Sequence, residues 1–316
     1  MGDSVTGERV CVIVNPAAGK GRGARLLPRL KKAFAEVGVK DIRITSAAGE
    51  EETLARRAVE EGCSTLVAVG GDGTWGQVAN GMLGGSDARL ALIAAGTGND
   101  FAKTAGVPAP DVERTARLAV QGPDARVDVG CVEGRYFLNG ATFGLTVAVL
   151  EDKARARWLR GDALYVVSAL RQVNCYQGLV ASVETEGVPA PSERHLLIVV
   201  ANARSFGGAF LLAPEATLED GRLDVIAIRD ARLFGRLKLF ALAPRGRHVR
   251  CPGVRAEQAA RVLLRFPAPP VYEIDGDYRR AQAAELEVRC HPRALRLVGF
   301  EPAATGPAPP AAASSR

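Results

Sequence analysis

The chain has 316 residues, 47% of them hydrophobic and 24% charged, enough for two domains with their own cores and too many for one compact unit. Lys and Arg number 41 against 35 Asp and Glu, a net charge of +6 that is too small and scattered for a nucleic-acid arm but suits phosphates or an anionic membrane surface. No window approaches the ~18 uncharged apolar residues of a membrane helix, residues 1–9 lack the basic-then-apolar pattern of a secretion signal, and six dispersed cysteines with three histidines leave zinc almost no ligands.

Residues 10–14 read as a buried strand. A Gly-rich stretch follows, and Leu26, Leu30, Phe34 and Val37 then recur at helical spacing until Gly38 closes the helix. Residues 42–45 predict a short strand and 50–60 a helix. Residues 65–69 and 90–94 are strands that run straight into glycine clusters, with a helix over 74–82 between them. This alternation is the mark of parallel strands joined by crossover helices, whose ligands sit at the carboxyl ends of the strands. From about Arg126 short β-type runs dominate, over 127–132, 136–138, 179–184, 196–201, 223–228, 261–266 and 286–290, and they predict a β-sandwich. Helical patterns at 157–173 and 233–242 interrupt it. The Ala- and Pro-rich tail, 301–316, has no apolar period and predicts disorder. With no Cys-x-x-Cys pair among Cys11, Cys63, Cys131, Cys175, Cys251 and Cys290, a reduced, cytoplasmic chain is expected.

Three glycine clusters carry chemistry. The first, Asn15, Pro16, Ala17, Ala18, Gly19, Lys20, Gly21, lies between a strand and a helix, where backbone N–H groups and the helix dipole favour an anion. It lacks P-loop spacing, and a flexible strand-to-helix turn accounts for it equally well. The second, Gly70, Gly71, Asp72, Gly73, Thr74, removes every Cβ around one carboxylate, which makes sense if a bulky anion approaches the backbone while Asp72 holds its magnesium. Thr74 and Gln77 also have capping-box spacing, which explains the threonine but not the aspartate. The third, Gly96, Thr97, Gly98, Asn99, Asp100, taken alone reads as the cap of a helix beginning at Phe101.

In their order and spacing these blocks resemble the diacylglycerol kinase catalytic-domain family, specifically its bacterial soluble lipid kinases. The later blocks Asp128-x-Gly130, Phe137-x-Asn139, Asn202 with Gly207-Gly208, Pro214-x-Ala216, Asp220-Gly221-x-Leu223-Asp224 and Asp275-Gly276-Asp277 fall in the family's order, so the resemblance spans roughly residues 10–298. It implies an N-terminal nucleotide-binding α/β domain like that of NAD kinase and phosphofructokinase, residues 8–125 completed by 291–300, and a β-sandwich, 126–290, that receives lipid. Asn15, Pro16, Ala17, Ala18, Gly19, Thr45, Gly70, Gly71, Asp72, Gly73, Thr74, Trp75, Gly76, Gly96, Thr97 and Asn99 would line ATP. Asp72 would manage catalytic Mg2+, and Asp100 and Asp128 would join it in one acidic network. Asp220, with the carbonyls of Thr217 and Arg222, would hold a structural metal ion.

The Asp275-Gly276-Asp277 turn matches the segment that supplies the family's catalytic base. Asp277 holds the base position, with Asp275 orienting it or touching the metal network, and alternation along an extended segment would point both to one face; a plain hairpin turn at Asp275-Gly276, with Asp277 a solvated strand residue, is the alternative. Gln77, Ala18, Ala94 and Asp277 depart from the usual Glu, Ser, Pro and Glu of the family.

The expected activity is transfer of the γ-phosphoryl of ATP to the hydroxyl of a diacylglycerol-like lipid. NAD kinase, which shares the Gly-Gly-Asp-Gly-Thr block, and a non-catalytic lipid-binding protein of the same fold are the alternatives. A lipid substrate and transient contact with an anionic membrane are the expected partners, nucleic acid is not, and a homodimer is the default for a soluble oligomer. Residues 232–250 alternate Leu and Phe with Arg and Lys, which fits a core helix with a solvated basic face first and an interfacial segment second.

Overall fold

The computed structural model describes residues 9–107, 110–155 and 171–301. Most of the helix expected over 157–173, and the tail beyond residue 301, lie outside them. No helix among the described residues is long and apolar enough to cross a membrane.

Strands β1 (Val10–Val14), β2 (Asp41–Ile44), β3 (Thr65–Gly70) and β4 (Arg89–Ala94) pair in parallel in the order β2-β1-β3-β4. β1, β3 and β4 are buried from end to end, as apolar strands covered on both faces must be. The crossovers are α1 (Ala18–Glu36), α2 (Glu50–Glu60) and α3 (Asp72–Met82), and α4 (Asp100–Thr104) and α5 (Val112–Gln121) follow β4. Trp75, Val78 and Met82 pack with Leu66 and Leu90 on one face, and Leu30 and Phe34 with Val67 and Ile93 on the other.

The second half comprises β5 (Asp124–Val132), β6 (Arg135–Phe137), β7 (Gly140–Gly144), α6 (Leu145–Arg155), β8 (Leu179–Thr185), β9 (Glu193–Ala201), β10 (Ser205–Phe206) and β11 (Phe210–Leu211). β12 (Leu223–Arg229), α7 (Leu233–Leu242), β13 (Val254–Ala259), β14 (Arg261–Arg265), β15 (Val271–Ile274), β16 (Asp277–Arg280) and β17 (Glu285–Val298) complete it. β15, β7, β9 and β12 pair in one antiparallel layer. β5, β14 and β17 pair in the other, and β8 joins the two. Between the layers lie Phe137, Phe143, Ile198, Val200, Val262 and Tyr272. The runs expected at 286–290 and near 295–298 prove to be one strand: β17 starts antiparallel to β14 and ends parallel to β4, with Leu297 opposite Leu90. A single strand therefore ties the sandwich to the parallel sheet. α7 lies where expected, but Arg236 is not on its solvated face. It is 8% exposed and paired with Asp230 at 2.7 Å.

At the carboxyl ends of β3 and β4 the two glycine loops meet backbone to backbone. The amides of Ala95 and Gly96 both donate to the Gly70 carbonyl, at 2.7 and 2.9 Å. A Cβ on Gly96 would stand 2.5 Å from the Gly71 Cα, and the contacting atom is main chain that has nowhere to go. Gly96→Ala is therefore expected to cost about 1–3 kcal/mol of stability, the scale of overpacking a well-filled site. Urea unfolding of the two proteins measures it, and equal midpoints would show that the loops can part.

Candidate active site

Loop one is organised by Asn15. Its Oδ1 accepts from the amides of Ala17 and Ala18 at 2.9 and 3.1 Å, and its Nδ2 donates to Glu51 Oε1 at 2.8 Å and Thr74 Oγ1 at 3.1 Å. Gly19, Lys20 and Gly21 are all left-handed, with φ of 56, 60 and 84°, so the regular part of α1 begins after them. Arg22 donates to the Gly96 carbonyl at 2.9 Å and closes loop one onto loop three. Thr45, buried at the end of β2, hydrogen-bonds the Val14 carbonyl, and Thr97 is exposed at the tip of loop three.

Asp72 belongs to the first turn of α3, whose N-cap, Gly71, is extended and lends no side chain. The expected capping box does not form. Thr74 serves Asn15, and Gln77 donates instead to Asp277 Oδ2 at 2.8 Å. Nor does Asn99 cap α4: it sits left-handed at φ 50°, its Nδ2 donates to the Gly96 carbonyl, and its buried Oδ1 has no partner. The cap comes from the neighbouring loop, because Asp72 Oδ1 accepts from the Phe101 amide at 2.9 Å. Burial pushes Asp72 above the usual carboxylate range, and the charge of Asp100 adds to it. Asp100 in turn pairs with Lys103 at 2.8 Å and accepts from the Gly208 amide.

Asp275 and Gly276 form the two-residue turn between β15 and β16, with φ of 49 and 91° and Ile274 opposite Asp277. The extended segment with both acids on one face is therefore replaced by a left-handed turn, and the carboxylates part. That of Asp275 is buried and accepts from the amides of Leu138, Asn139 and Gly140 at 2.8, 2.8 and 3.0 Å. Asp277, half-buried, faces a cleft between Gly73 and Gln77 of α3 and Arg279 of β16, walled by Arg135 and Tyr136. Burial pushes Asp275 up to about 7 despite its three donors, and Asp72 contributes to the rise.

The likeness to known proteins is long on both sequence and fold. The family model for the diacylglycerol kinase catalytic domain matches residues 9–132, and that for the YegS C-terminal NAD kinase beta sandwich-like domain matches residues 140–299. The chain belongs to the diacylglycerol kinase catalytic-domain family. A diacylglycerol kinase of Bacillus subtilis is 28% identical over 275 residues, 86% of this chain and 90% of that one. One of Staphylococcus aureus is 29% identical over 277 residues, covering 86% of each. Among solved structures, a diacylglycerol kinase of Bacillus anthracis superposes with a TM-score of 0.69 at 18% identity, over 95% of this chain and 100% of that one. An NAD kinase of Archaeoglobus fulgidus in complex with ATP gives 0.55 at 13% identity, over 92% and 94%. Membership supports phosphotransfer as the reaction class.

The acidic network expected of this kinase family divides in two. Asp72, Asp100, Asp275 and Asp277 gather at the loops with Glu273, whose carboxylate accepts from Thr142 Oγ1 at 3.0 Å. Burial raises Glu273, and Asp100 and Asp277 raise it further. Asp128 stands apart from them. Fully buried in β5, it accepts from the amides of Gly221 and Arg293, both at 2.7 Å, and the acid that raises it after burial is Asp220.

Asp220 is exposed, accepting from the Arg222 amide at 3.0 Å and from Gln258 at 3.2 Å, on the loop that carries Thr217 and Arg222. Nearby Asp224 is pushed up to about 6, first by burial and then by Asp220 and Glu215. Among the described residues no three His, Cys, Asp or Glu side chains are placed to hold a metal ion together. Both groups nonetheless suit a cation held partly by water, carbonyls or phosphate, since burial and neighbouring acids drive Asp72, Asp275 and Glu273 in the one and Asp128 and Asp224 in the other toward their neutral form.

Two further acids, Glu51 and Glu273, join the loops and the carboxylate group without belonging to any motif of the sequence. A lone acid on the inner face of α2, and one inside a strand with inward neighbours, were the signals for them.

The Asp275 shift gives a signed prediction. The folded protein holds this proton more tightly than the unfolded chain, so stability falls as pH rises from the ordinary carboxylate range to about 7. Asp275→Asn removes that part of the slope. It also sets an amide N–H2 against the Leu138 N–H, a roughly constant penalty of about 1–3 kcal/mol. Melting curves across this range in metal-free buffer are expected to show a variant that is weaker throughout yet flatter; parallel curves would contradict the assignment.

Proposed function

We propose that the protein transfers the γ-phosphoryl group of ATP to the hydroxyl of a diacylglycerol-like lipid. The observation that carries this reading is the convergence of the three glycine loops on one another, with a half-buried carboxylate, Asp277, at a cleft lined by Gly73, Gly76 and Gln77 beside the second loop. The loops offer backbone N–H groups and no Cβ atoms where the polyphosphate of ATP would lie. The unpartnered Asn99 Oδ1 is a buried acceptor where the second and third loops meet.

Asp72 and Asp100 are the residues that would hold Mg2+ through water, and Asp220 with the carbonyls of Thr217 and Arg222 would hold a second, structural ion. Bound magnesium supplies neutralisation of charge on the transferring phosphoryl oxygens. Asp277 takes the proton of the lipid hydroxyl as its oxygen bonds to the γ-phosphorus and the bond to the β–γ bridging oxygen breaks, leaving ADP and a lipid phosphomonoester. Gln77 fixes the Asp277 carboxylate, so one oxygen is tethered at 2.8 Å and the other is left for the acceptor. Asp275 acts on the base indirectly, by locking the turn that carries it.

Radiolabelled ATP offered to a short-chain diacylglycerol in micelles, with NAD as a parallel acceptor, tests the reading. Label in the lipid is expected; label in NAD alone, or in neither, would overturn it. Asp277→Asn is expected to lower kcat on the order of a hundredfold with ATP KM little changed, the scale for losing a general base. Asp277→Glu should keep substantial activity, and Asp72→Asn should abolish turnover while remaining folded. Magnesium should raise the melting temperature of the wild type and do so less in Asp220→Ala; equal shifts would reduce Asp220 to a turn residue.

A further inference from the structure

The described part of the molecule exposes six large apolar side chains, and three of them, Leu233, Phe234 and Leu237, stand together on α7 at 43, 85 and 39% exposure. Spaced i, i+1 and i+4, they share one face of the helix. The other side is anchored: Leu239 and Ala243 enter the core and Arg236 is fixed to Asp230 and to the Val173 carbonyl, while Phe240, on the flank beside Leu233 and Leu237, packs on Phe210 at 5.2 Å. The apolar face is therefore held outward by the packing beneath it.

The charge along the segment has one sign. Arg232, Lys238, Arg245, Arg247 and Arg250 are exposed, and none forms an ion pair among the described residues. No Asp or Glu occurs from residue 231 to 256, and Asp230 is occupied by Arg236. We propose that α7 and the two short turns after it, Ala243–Arg245 and Arg247–Arg250, are a docking face for an anionic lipid bilayer, with Leu233, Phe234 and Leu237 entering the headgroup layer and the five cations lying over it.

A second copy of this chain fits the face poorly. An isologous contact would lay these cations against their own symmetry mates with no acid between them. The face also lies close to the chemistry. The segment joining β10 and β11 donates the Gly208 amide to Asp100 at one end and packs Phe210 against Phe240 at the other. A bilayer held by α7 thus stands one hairpin away from the acids of the site. The proposal rests on the lipid reading only for its purpose, since vesicle binding is measured without turnover.

Sedimentation with phosphatidylcholine vesicles, with and without phosphatidylglycerol, is the test. The wild type is expected to pellet with the anionic vesicles, less so as salt rises. A variant with Arg232, Lys238, Arg245 and Arg247 all replaced by Gln should partition on the order of tenfold or more weakly, and Phe234→Ser with Leu237→Ser should lose binding at every salt concentration. All these side chains are exposed, so the variants keep the fold, which unchanged melting curves verify. Phosphorylation of a micellar short-chain lipid should be unaffected in both variants, and that of a vesicle-embedded lipid should fall. Vesicle binding by either variant equal to wild type would overturn the proposal, as would a wild-type dimer in sedimentation velocity that Phe234→Ser turns to monomer.

Discussion

The site depends on the tie between the Asp275 carboxylate and the three consecutive amides of residues 138–140. Those amides belong to the entry of β7, more than a hundred residues earlier in the chain, and no other described group takes their hydrogens. A carboxyl group has the acceptor capacity for three donors at once from within a turn, which the single amide oxygen of an asparagine lacks. The turn it locks is left-handed at both central residues, so β16 leaves it in one direction only, and Asp277 is delivered over α3 where Gln77 receives it. The position of the Asp277 carboxylate and the attachment of the hairpin both follow from this contact.

Its cost is electrostatic. Asp275 lies within the influence of Asp72, Asp72 within that of Asp100, and Glu273 within that of Asp100 and Asp277. Only Asp100 has an ion-pair partner among them, the partly exposed Lys103. A protein interior that concentrates like charges in this way is unfavourable by itself and becomes favourable when a cation is added, so binding energy and site organisation are linked. Asp220, Asp224 and Glu215 repeat the pattern at the edge of the sandwich, where Asp128 has its charge screened by two short backbone hydrogen bonds.

Much of this was legible in the sequence, for identifiable reasons. Strands buried on both faces read as uninterrupted apolar runs, and glycine clusters at their ends mark where backbone must approach backbone, as Gly71 and Gly96 do. What stayed hidden depends on partners distant in the chain. Asp72 and Gln77 had local explanations, a turn and a capping box, yet their hydrogen bonds go to Phe101 and Asp277. Asp128 fell in with the other acids by type, whereas its neighbours are set by the pairing of β5 with β17. Arg236 had the same surroundings in sequence as Lys238, and only the position of Asp230 beneath the helix separates a buried ion pair from a solvated cation. Local pattern fixes which residues occupy an element, and long-range pairing decides what each of them does.

Asp72 also joins two parts of the molecule that composition would keep separate. By capping α4 it sets the orientation of a five-residue helix too short to be stable alone. That helix carries Asp100, which receives the Gly208 amide, and the same hairpin ends at Phe210 on the underside of α7. Three contacts thus lead from the glycine loops to the basic, apolar face. The chain of contacts is positional: it fixes where the face lies relative to the glycine loops, and it would transmit a signal only if one of its links had two discrete arrangements. Every link is either a hydrogen bond of ordinary length or an aromatic contact, so these contacts set the spacing between the apolar, basic face of α7 and the gathered carboxylates.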